Sequence, residues 1–505
     1  MDNRKWRIGL KWTFLAAQFS VAVLALSSTT LYTLSAQAAD TVEPELRVIS
    51  PSRLETRPDS RVGLHPRPTA RPAAVPGPAQ RDDTDLAAPI AGSQLGLAQA
   101  VRLAVEWHPS IAEAIGTLYQ QGEGINVARA GYYPRITGGL RGGLDSSYGG
   151  NGTSQAVNIS LKQMLYDFGK VDSAVDVAKA RVARSQAQVL LSIDQVARDT
   201  SQAYIEVQRY KRLLKIAREQ IKGIAGIADL ARQRSDMGAA TRSDVVQAKS
   251  REDGARATLL QYEALYNRWR ANLINLVGRA APFDVNDDFP SSLLASCNTA
   301  EPDMNALPGI LVANAQRVEA QAAIRQARAD GLPTLSVDPT LNHYLDSNYN
   351  SNNSNIDRTQ AGIFINLDVP FYQGGATTAR TAAATYALTA ADSAEDAARL
   401  QARQGLFEAQ AQTASLDRRL GSLQYRQTSI VEARELYGQQ YLELGTRPLL
   451  DLLNAEQEIH QSRFDLANTE ADLRRLQVDC LYSTGALRSA YRIDRSTIQG
   501  VEILP

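Results

Sequence analysis

The sequence contains an internal duplication, and this feature constrains the fold more than any other. Similar residues recur after an offset of 207 positions. The matched pairs include Gly238 with Gly445, Asp244 with Asp451, and Gly278 with Gly485. Repetition of a long unit indicates that one supersecondary arrangement is built twice. We therefore predict two equivalent repeats, over residues 93–290 and 291–490, each in the order helix, β-hairpin, very long helix, turn and shorter helix.

The distribution of proline predicts two very long helices. No proline lies between Pro134 and Pro282 or between Pro370 and Pro448, and good helix formers such as Ala, Gln, Arg, Leu and Glu are frequent there. The segments 171–234 and 376–442 would each reach ~100 Å as single helices. A seven-residue repeat, which favours left-handed supercoiling, comprises Val175, Val182, Val189, Val196 and Ala203. Shorter helices, which would stack end to end in pairs to match the long ones, are predicted over 97–130, 244–277, 304–329 and 449–485.

Two segments, about 135–165 and about 334–370, alternate apolar and polar residues in the manner of β-hairpins. Val157, Ile159 and Leu161 are separated by polar side chains, and the same pattern surrounds Ile363 and Ile365. Successive strand side chains point to opposite faces, so this pattern fits a transmembrane barrel that is apolar toward lipid and polar toward a wet lumen. A half-buried soluble sheet is the alternative. Four strands cannot close a barrel, so we expect the chain to oligomerise, with eight strands from two copies or twelve from three.

The two ends of the sequence are predicted to lie outside this duplicated unit. Residues 1–38 resemble a signal peptide, with a basic start, an apolar run and a small-x-small sequence at Ala36-Gln37-Ala38; an uncleaved anchor helix is the alternative. Residues 39–92 contain nine of the 20 prolines and are predicted to be a flexible linker. Residues 491–505 are predicted to be a C-terminal tail.

Composition argues against several classes of function. The 54 basic and 54 acidic side chains cancel, which gives no general attraction to nucleic acid. The four histidines form no motif with metal-ligand spacing, and no catalytic or cofactor-binding motif is complete, so we expect no enzyme activity and no cofactor. A structural coiled-coil protein of the cell envelope is the main alternative to a transport function.

The two cysteines, Cys297 and Cys480, are predicted to form an intrachain disulfide. Both lie in the exported part of the chain, where an oxidising compartment preserves such bonds. Cys480 precedes Gly485 by five residues, and Cys297 follows the equivalent Gly278 by 19 residues. The repeat therefore places both cysteines at a similar position along the axis of the long helices. The alternative is a pair of unbonded, buried thiols that act as small apolar side chains.

The duplicated layout, together with one segment in the second turn, resembles the TolC family of outer-membrane channel-tunnels over about 95–487. The segment is Gly445-Thr446-Arg447-Pro448-Leu449-Leu450-Asp451-Leu452-Leu453-Asn454-Ala455-Glu456. The resemblance implies a mainly α-helical homotrimer with a transmembrane β-barrel of twelve strands in outer-membrane lipid, four from each chain, on a long helical tunnel in the periplasm. It also implies a periplasmic adaptor and an inner-membrane transporter as partners.

Within this family, the segment resembles the type I secretion branch more closely than the drug-efflux branch. We therefore predict a channel that exports a protein, adhesin or RTX-like, together with an inner-membrane ABC transporter. The alternative is the outer-membrane channel of a multidrug efflux pump.

The resemblance also implies a gate at the periplasmic tip. Asp244 and Arg447 match positions whose links keep the tunnel closed, although they could instead be solvated turn charges. The family's partner tyrosine corresponds to Leu442, with Tyr441 one residue earlier.

Two further features of the tip follow from the same resemblance. Gly238 and Gly445 mark tip turns that contact the adaptor. Asp451 matches a ring aspartate in the lumen constriction, where the family's second ring aspartate is replaced by Asn454. A trimer of this chain would then carry three carboxylates at the constriction, whereas a trimer with both ring aspartates would carry six.

Overall fold

The computed structural model describes residues 49–50, 94–145, 152–279, 283–294, 296–298, 303–345, 358–494 and 496–503. The predicted signal peptide lies outside these residues, and so does the predicted linker apart from strand β1 (Ile49–Ser50). The first repeat contains α1 (Leu97–Trp107), α2 (Pro109–Arg129), β2 (Arg135–Asp145), β3 (Gly152–Tyr166), α3 (Lys170–Asp236) and α4 (Arg242–Val277). The second contains α5 (Pro308–Ala329), β4 (Thr334–Tyr344), β5 (Thr359–Asp368), α6 (Ala376–Gln439) and α7 (Leu449–Ser483). The chain then forms α8 (Leu487–Ala490), β6 (Thr497–Ile498) and β7 (Val501–Ile503).

The starts of the shorter helices differ from the prediction. The single helix expected over 97–130 is broken at His108, because Pro109 lacks an N–H group and begins a new helix at its first position. The His108 Nδ1 atom caps α2 by accepting a hydrogen bond from the Ser110 N–H at 3.3 Å. In the second repeat, Met304–Ala306 is a separate 3-10 turn, and α5 again starts at a proline, Pro308.

Helix α3 lies at the centre of the helical part. It packs against α2 and α4 and also against α5 and α7, whereas α6 packs mainly against α5 and α7. The three helices α1, α2 and α4 contain 11, 21 and 36 residues, together one more than the 67 residues of α3. Among the described helices, none combines the length and apolarity needed to cross a membrane.

The C-terminal segment is not a free tail. Strands β6 and β7 form a hairpin, and β7 pairs with β1, so two residues of the predicted flexible linker are held in a sheet. The Tyr491 hydroxyl lies 2.8 Å from the Ser201 hydroxyl of α3. The segment adds five buried side chains to the main apolar core, namely Tyr491, Ile493, Ile498, Val501 and Ile503.

The remaining four strands form one antiparallel sheet in the order β2–β3–β4–β5. The two hairpins of the duplicated units are thus joined through β3 and β4. Residues of neighbouring strands at the same height form rows across the sheet. One such row, all apolar, consists of Ile136, Leu161, Pro339 and Ile363. An apolar row across all four strands fits a sheet with one face toward lipid.

Candidate functional site

The first tip turn joins α3 to α4 and is stabilised by its own residues. Gly238 has a φ of +75°, a left-handed conformation that glycine adopts without steric cost. Thr241 then caps α4: its hydroxyl accepts from the Asp244 N–H at 3.3 Å, and the Asp244 carboxylate accepts from the Thr241 N–H at 3.1 Å. Asp244 therefore forms a reciprocal capping box with the start of its own helix.

The second tip turn, between α6 and α7, has a different construction. The end of α6 widens into a π-helical turn over Gln440–Leu444, and Gly445 follows with a φ of +64°. Pro448 precedes α7, which has no side-chain cap. The two turns thus share a left-handed glycine at matched positions, but the second lacks the capping box of the first.

Arg447 is held by three partners of its own chain. Its Nε donates to Gln440 Oε1 at 2.8 Å, and its Nη1 donates to Asp451 Oδ2 at 2.8 Å. The Cζ atom lies 4.3 Å from the centre of the Tyr437 ring, a cation–π arrangement. The structure therefore brings the predicted gate cation and the predicted constriction carboxylate together, while Asp244 bonds to Thr241 instead.

Tyr441 and Leu442 lie in contrasting environments. Tyr441 is buried against α3, where the Arg234 Nη1 donates to its carbonyl oxygen at 3.1 Å and the guanidinium lies 4.7 Å from the ring. Its hydroxyl has no hydrogen-bond partner in the described part of the chain. Burial raises the pKa of Tyr441, the nearby Arg234 lowers it less, and the phenol stays neutral. Leu442 is 52% exposed, so within one chain Tyr441 contributes to packing and Leu442 faces outward.

Asn454 lies one turn beyond Asp451 and is bound to α4. Its Oδ1 accepts from Arg251 Nη2 at 3.3 Å, and Arg251 also bonds to Gln457. The predicted constriction thus has one carboxylate bound to Arg447 and one amide bound to Arg251 in each chain.

Sequence reasoning missed a buried polar cluster just above the tip. The Glu456 carboxylate accepts from Arg434 Nε at 3.0 Å and lies 3.2 Å from His460 Nε2. Burial opposes ionisation of Glu456, but the two basic neighbours outweigh it and lower the pKa of this carboxyl. A Cβ at Gly223 of α3 would come within 1.9 Å of Glu456 Oε1, so a larger residue there would force the Glu456 side chain to move away from its present partners. The signal in the sequence was this glycine inside a long helix, where it otherwise costs stability.

Cys297 and Cys480 are joined by a disulfide, with Cα atoms 5.2 Å apart. The bond connects α7 to the segment between the two repeats. It lies in a small buried cluster with Ala409 of α6 and Leu476 of α7. Within the described segments, no group of His, Cys, Asp and Glu side chains is arranged to hold a metal ion.

Comparison with known proteins identifies the family. The sequence profile of the family described as "Outer membrane efflux protein" matches residues 100–279 and 306–484, so each repeat is matched separately. Outer membrane protein TolC of Vibrio cholerae is 24% identical over 394 residues, which cover 74% of this chain and 87% of the relative. Alkaline protease secretion protein AprF of Pseudomonas aeruginosa is 24% identical over 409 residues, 75% of this chain and 82% of the relative.

An efflux relative and a solved structure complete the comparison. The probable efflux pump outer membrane protein TtgC of Pseudomonas putida is 26% identical over 231 residues, 42% of this chain and 46% of the relative. The crystal structure of the outer membrane protein VceC from Vibrio cholerae has a TM-score of 0.67 at 16% identity, and the match covers 77% of this chain and 96% of that one. The predicted fold class, a helical tunnel with a barrel, is thereby confirmed.

The matched relatives include secretion and efflux proteins, so they do not separate the two branches. The profile match nevertheless spans well over half of the chain and both of its repeats. This chain therefore belongs to the outer membrane efflux protein family, the TolC-type, non-enzymatic channels of the outer membrane whose helical tunnel lies in the periplasm.

Proposed function

We propose that this chain is the outer-membrane channel of a type I secretion system and exports a protein to the outside of the cell. Channels of this family are trimeric and work with adaptors and inner-membrane transporters. The proposal names a periplasmic adaptor, which contacts the tip turns at Gly238 and Gly445, and an inner-membrane ABC transporter as the partners. The observation that carries it is the tip segment 445–456, which resembles the secretion branch more closely than the drug-efflux branch.

The matched relatives include the secretion protein AprF and the efflux protein TtgC, so both branches are represented among them. The TtgC match keeps the outer-membrane channel of a drug-efflux pump as the second candidate.

A deletion strain tests the two candidates against each other. Loss of the gene should remove one or a few proteins from the culture medium or the cell surface, as measured by comparative proteomics. The wild-type chain supplied from a plasmid should restore them. Increased drug sensitivity with an unchanged set of secreted proteins would contradict the secretion proposal and favour efflux.

We propose further that Asp244 and Arg447 form the latch of the periplasmic gate through contacts between neighbouring chains. Both lie beside a tip turn, and the guanidinium offers a planar fork of donors that suits a releasable bond to carboxylate. Replacing both residues by Ala should raise single-channel conductance in planar bilayers. Arg447→Lys, which keeps the charge but loses the fork, serves as the control and should have a smaller effect. An unchanged conductance in the double variant would contradict the latch.

Asp451 is proposed to supply the acidic ring of the constriction. Three copies in a narrow lumen would attract cations, while each Arg447 partly neutralises its own Asp451. Asp451→Asn should therefore lower cation selectivity, measured as the reversal potential in a KCl gradient, and Arg447→Ala should raise it. Shifts in the same direction would place the filter elsewhere.

A further inference from the structure

The four-stranded sheet β2–β3–β4–β5, called the barrel sheet below, carries a row of charged residues that lie opposite one another on neighbouring strands. Arg135, the first residue of β2, lies opposite Lys162 of β3. The register that pairs Ser160 with Thr340 and Gln163 with Val337 places Lys162 opposite Asp338 of β4. The row ends at Phe364 of β5, which lies opposite Asp338. Two cations, one carboxylate and one aromatic ring thus follow one another across all four strands.

This row faces away from the apolar surface of the sheet. Each of its members is the direct neighbour in sequence of a member of the apolar row described above, as Arg135 is of Ile136 and Lys162 is of Leu161. Because successive side chains of a strand point to opposite faces, the two rows lie on opposite faces. In a closed barrel with its apolar face toward lipid, the charged row faces the lumen. Its position at the start of β2 puts it at the end of the barrel that adjoins the helical tunnel.

The charges in this row are not cancelled within the chain. Arg135 and Lys162 are exposed and directly opposite each other, an arrangement of like charges that destabilises a strand pair. The Asp338 carboxylate accepts from Asn366 Nδ2 at 2.5 Å. Among the described residues, no ion pair joins it to either cation. Two cations and one carboxylate leave a net charge of +1 per chain at this height, and +3 in a trimer.

The aromatic member of the row lies over a glycine of its own strand. A Cβ at Gly362 would lie 2.9 Å from the Phe364 Cε2 atom, so the ring packs over this glycine. Arg135 and Lys162 are exposed in the chain, whereas Asp338 is half-buried and its Oδ1 has no hydrogen-bond partner among the described residues.

We propose that Arg135, Lys162 and Asp338 form a cationic ring at the base of the barrel lumen, which favours small anions and acts in series with the acidic constriction at the tip. The ring depends on the trimeric barrel of the family and is independent of which cargo the channel exports. A failure of the secretion proposal would therefore leave it unaffected. A narrow wet lumen lined by one net sign of charge concentrates ions of the opposite sign.

The experiment is to measure the reversal potential of the purified full-length trimer in planar bilayers under a KCl gradient. Lys162→Gln should shift selectivity toward cations, by about twofold in the permeability ratio near 0.1 M salt and by much less near 1 M, where screening is stronger. Asp338→Asn, which removes the only carboxylate of the row, should shift it toward anions. Lys162→Arg keeps the charge and should leave the ratio unchanged.

Each measurement is repeated in the Asp451→Asn background, so that the carboxylates at the tip do not determine the measured ion selectivity. If the Lys162→Gln trimer does not assemble, Arg135→Gln removes the same charge from the same row. Opposite shifts for the Lys162 and Asp338 variants support the ring. Absent shifts, or shifts in the same direction, would overturn it.

Discussion

The two long helices occupy matched places in the duplicated sequence, yet their surroundings differ greatly. Helix α3 buries 30 of its 67 residues, whereas α6 buries five of its 64. Helix α3 packs against six helices, namely α1, α2, α4, α5, α7 and α8, whereas α6 packs mainly against α5 and α7. Among the exposed large apolar side chains of α6, three lie 14 and seven residues apart, namely Tyr386, Leu400 and Phe407. This spacing places them on one face of a supercoiled helix.

The difference indicates which surfaces have no packing partner within one chain. An apolar face at coiled-coil spacing normally packs against another helix. Likewise, β2 and β5 are the edge strands of the barrel sheet within one chain, and an open edge is not viable in lipid. Because the channels of this family are trimeric, we expect the neighbouring chain to cover α6 and to pair with the edge strands. The first repeat supplies most residues of the main apolar core, and we expect the second to supply most of the interface.

The disulfide is expected to have the largest effect, because it lies where the poorly packed helix α6 contacts the rest of the chain. Ala409, one of the five buried residues of α6, lies in its cluster. The bond closes a loop with a sequence separation of 183 residues. The combined variant Cys297→Ala/Cys480→Ala should therefore lose about 5 kcal/mol of unfolding free energy on the chain-entropy account.

The measurement is the thermal midpoint of the trimer with and without reductant. The wild type should respond to reduction, and the variant should not. Mass spectrometry of a non-reduced digest provides the direct check, since alkylation of both cysteines without prior reduction would exclude the bond.

The sequence predicted the elements well where one local signal was decisive. Proline-free stretches located both long helices within a few residues, and the alternation of apolar and polar residues did the same for both hairpins. The break at His108 was missed because Pro109 was read as part of a continuous helix. The packed C-terminal segment was missed because its strands have two and three residues, too short for a periodic pattern.

The candidate site was less predictable, because a charged side chain near a turn has several possible hydrogen-bond partners and the sequence does not show which of them it contacts. The sequence located Asp244, Arg447 and Asp451 beside the tip turns. It did not indicate that Arg447 would bond to Asp451 four residues later, although such spacing places both on one helical face. The burial of Tyr441 against Arg234 depends on the π-helical turn at the end of α6, for which we identified no sequence signal.

A matched pair of truncations tests the contrast between the long helices directly. Ile193 of α3 is completely buried, so Ile193→Ala should lower the unfolding free energy by about 2 to 5 kcal/mol through lost burial and a cavity. Leu400 of α6 is 68% exposed in the single chain, so Leu400→Ala should change the stability of the chain itself by about 0.5 kcal/mol or less. It should instead weaken the trimer, because it removes part of the exposed stripe.

Two readouts separate these effects. Thermal unfolding reports the loss in Ile193→Ala, and the fraction of trimer surviving in detergent on unheated gels reports the loss in Leu400→Ala. An equal drop in thermal stability for both variants would contradict the proposed division between core and interface.

The last prediction, with an effect of at most about 3 kcal/mol, concerns a buried carboxylate of α3. Asp194 bonds to Arg488 of α8 at 2.7 Å, and its Oδ1 has no hydrogen-bond partner in the described part of the chain. Burial raises the pKa of Asp194 from 3.8 to about 6, although Arg488 opposes the shift. None of the acidic residues of α6 is buried. We therefore expect this dependence of the unfolding free energy on pH to come from α3 and not from α6.

The sign of the effect follows from proton linkage. Between about pH 4 and about pH 6, the folded chain retains a proton on Asp194 that the unfolded chain has lost. The stabilisation is complete at the acidic end of this window and is lost as the pH rises through about 6.

Asp194→Asn removes this titration, so its unfolding free energy should fall less between pH 4 and pH 6 than that of the wild type. Asp417→Asn, at an exposed position on α6, is the matched control and should keep the wild-type dependence. If Asp194→Asn and the wild type show the same slope in denaturant titrations, burial on α3 does not control this protonation.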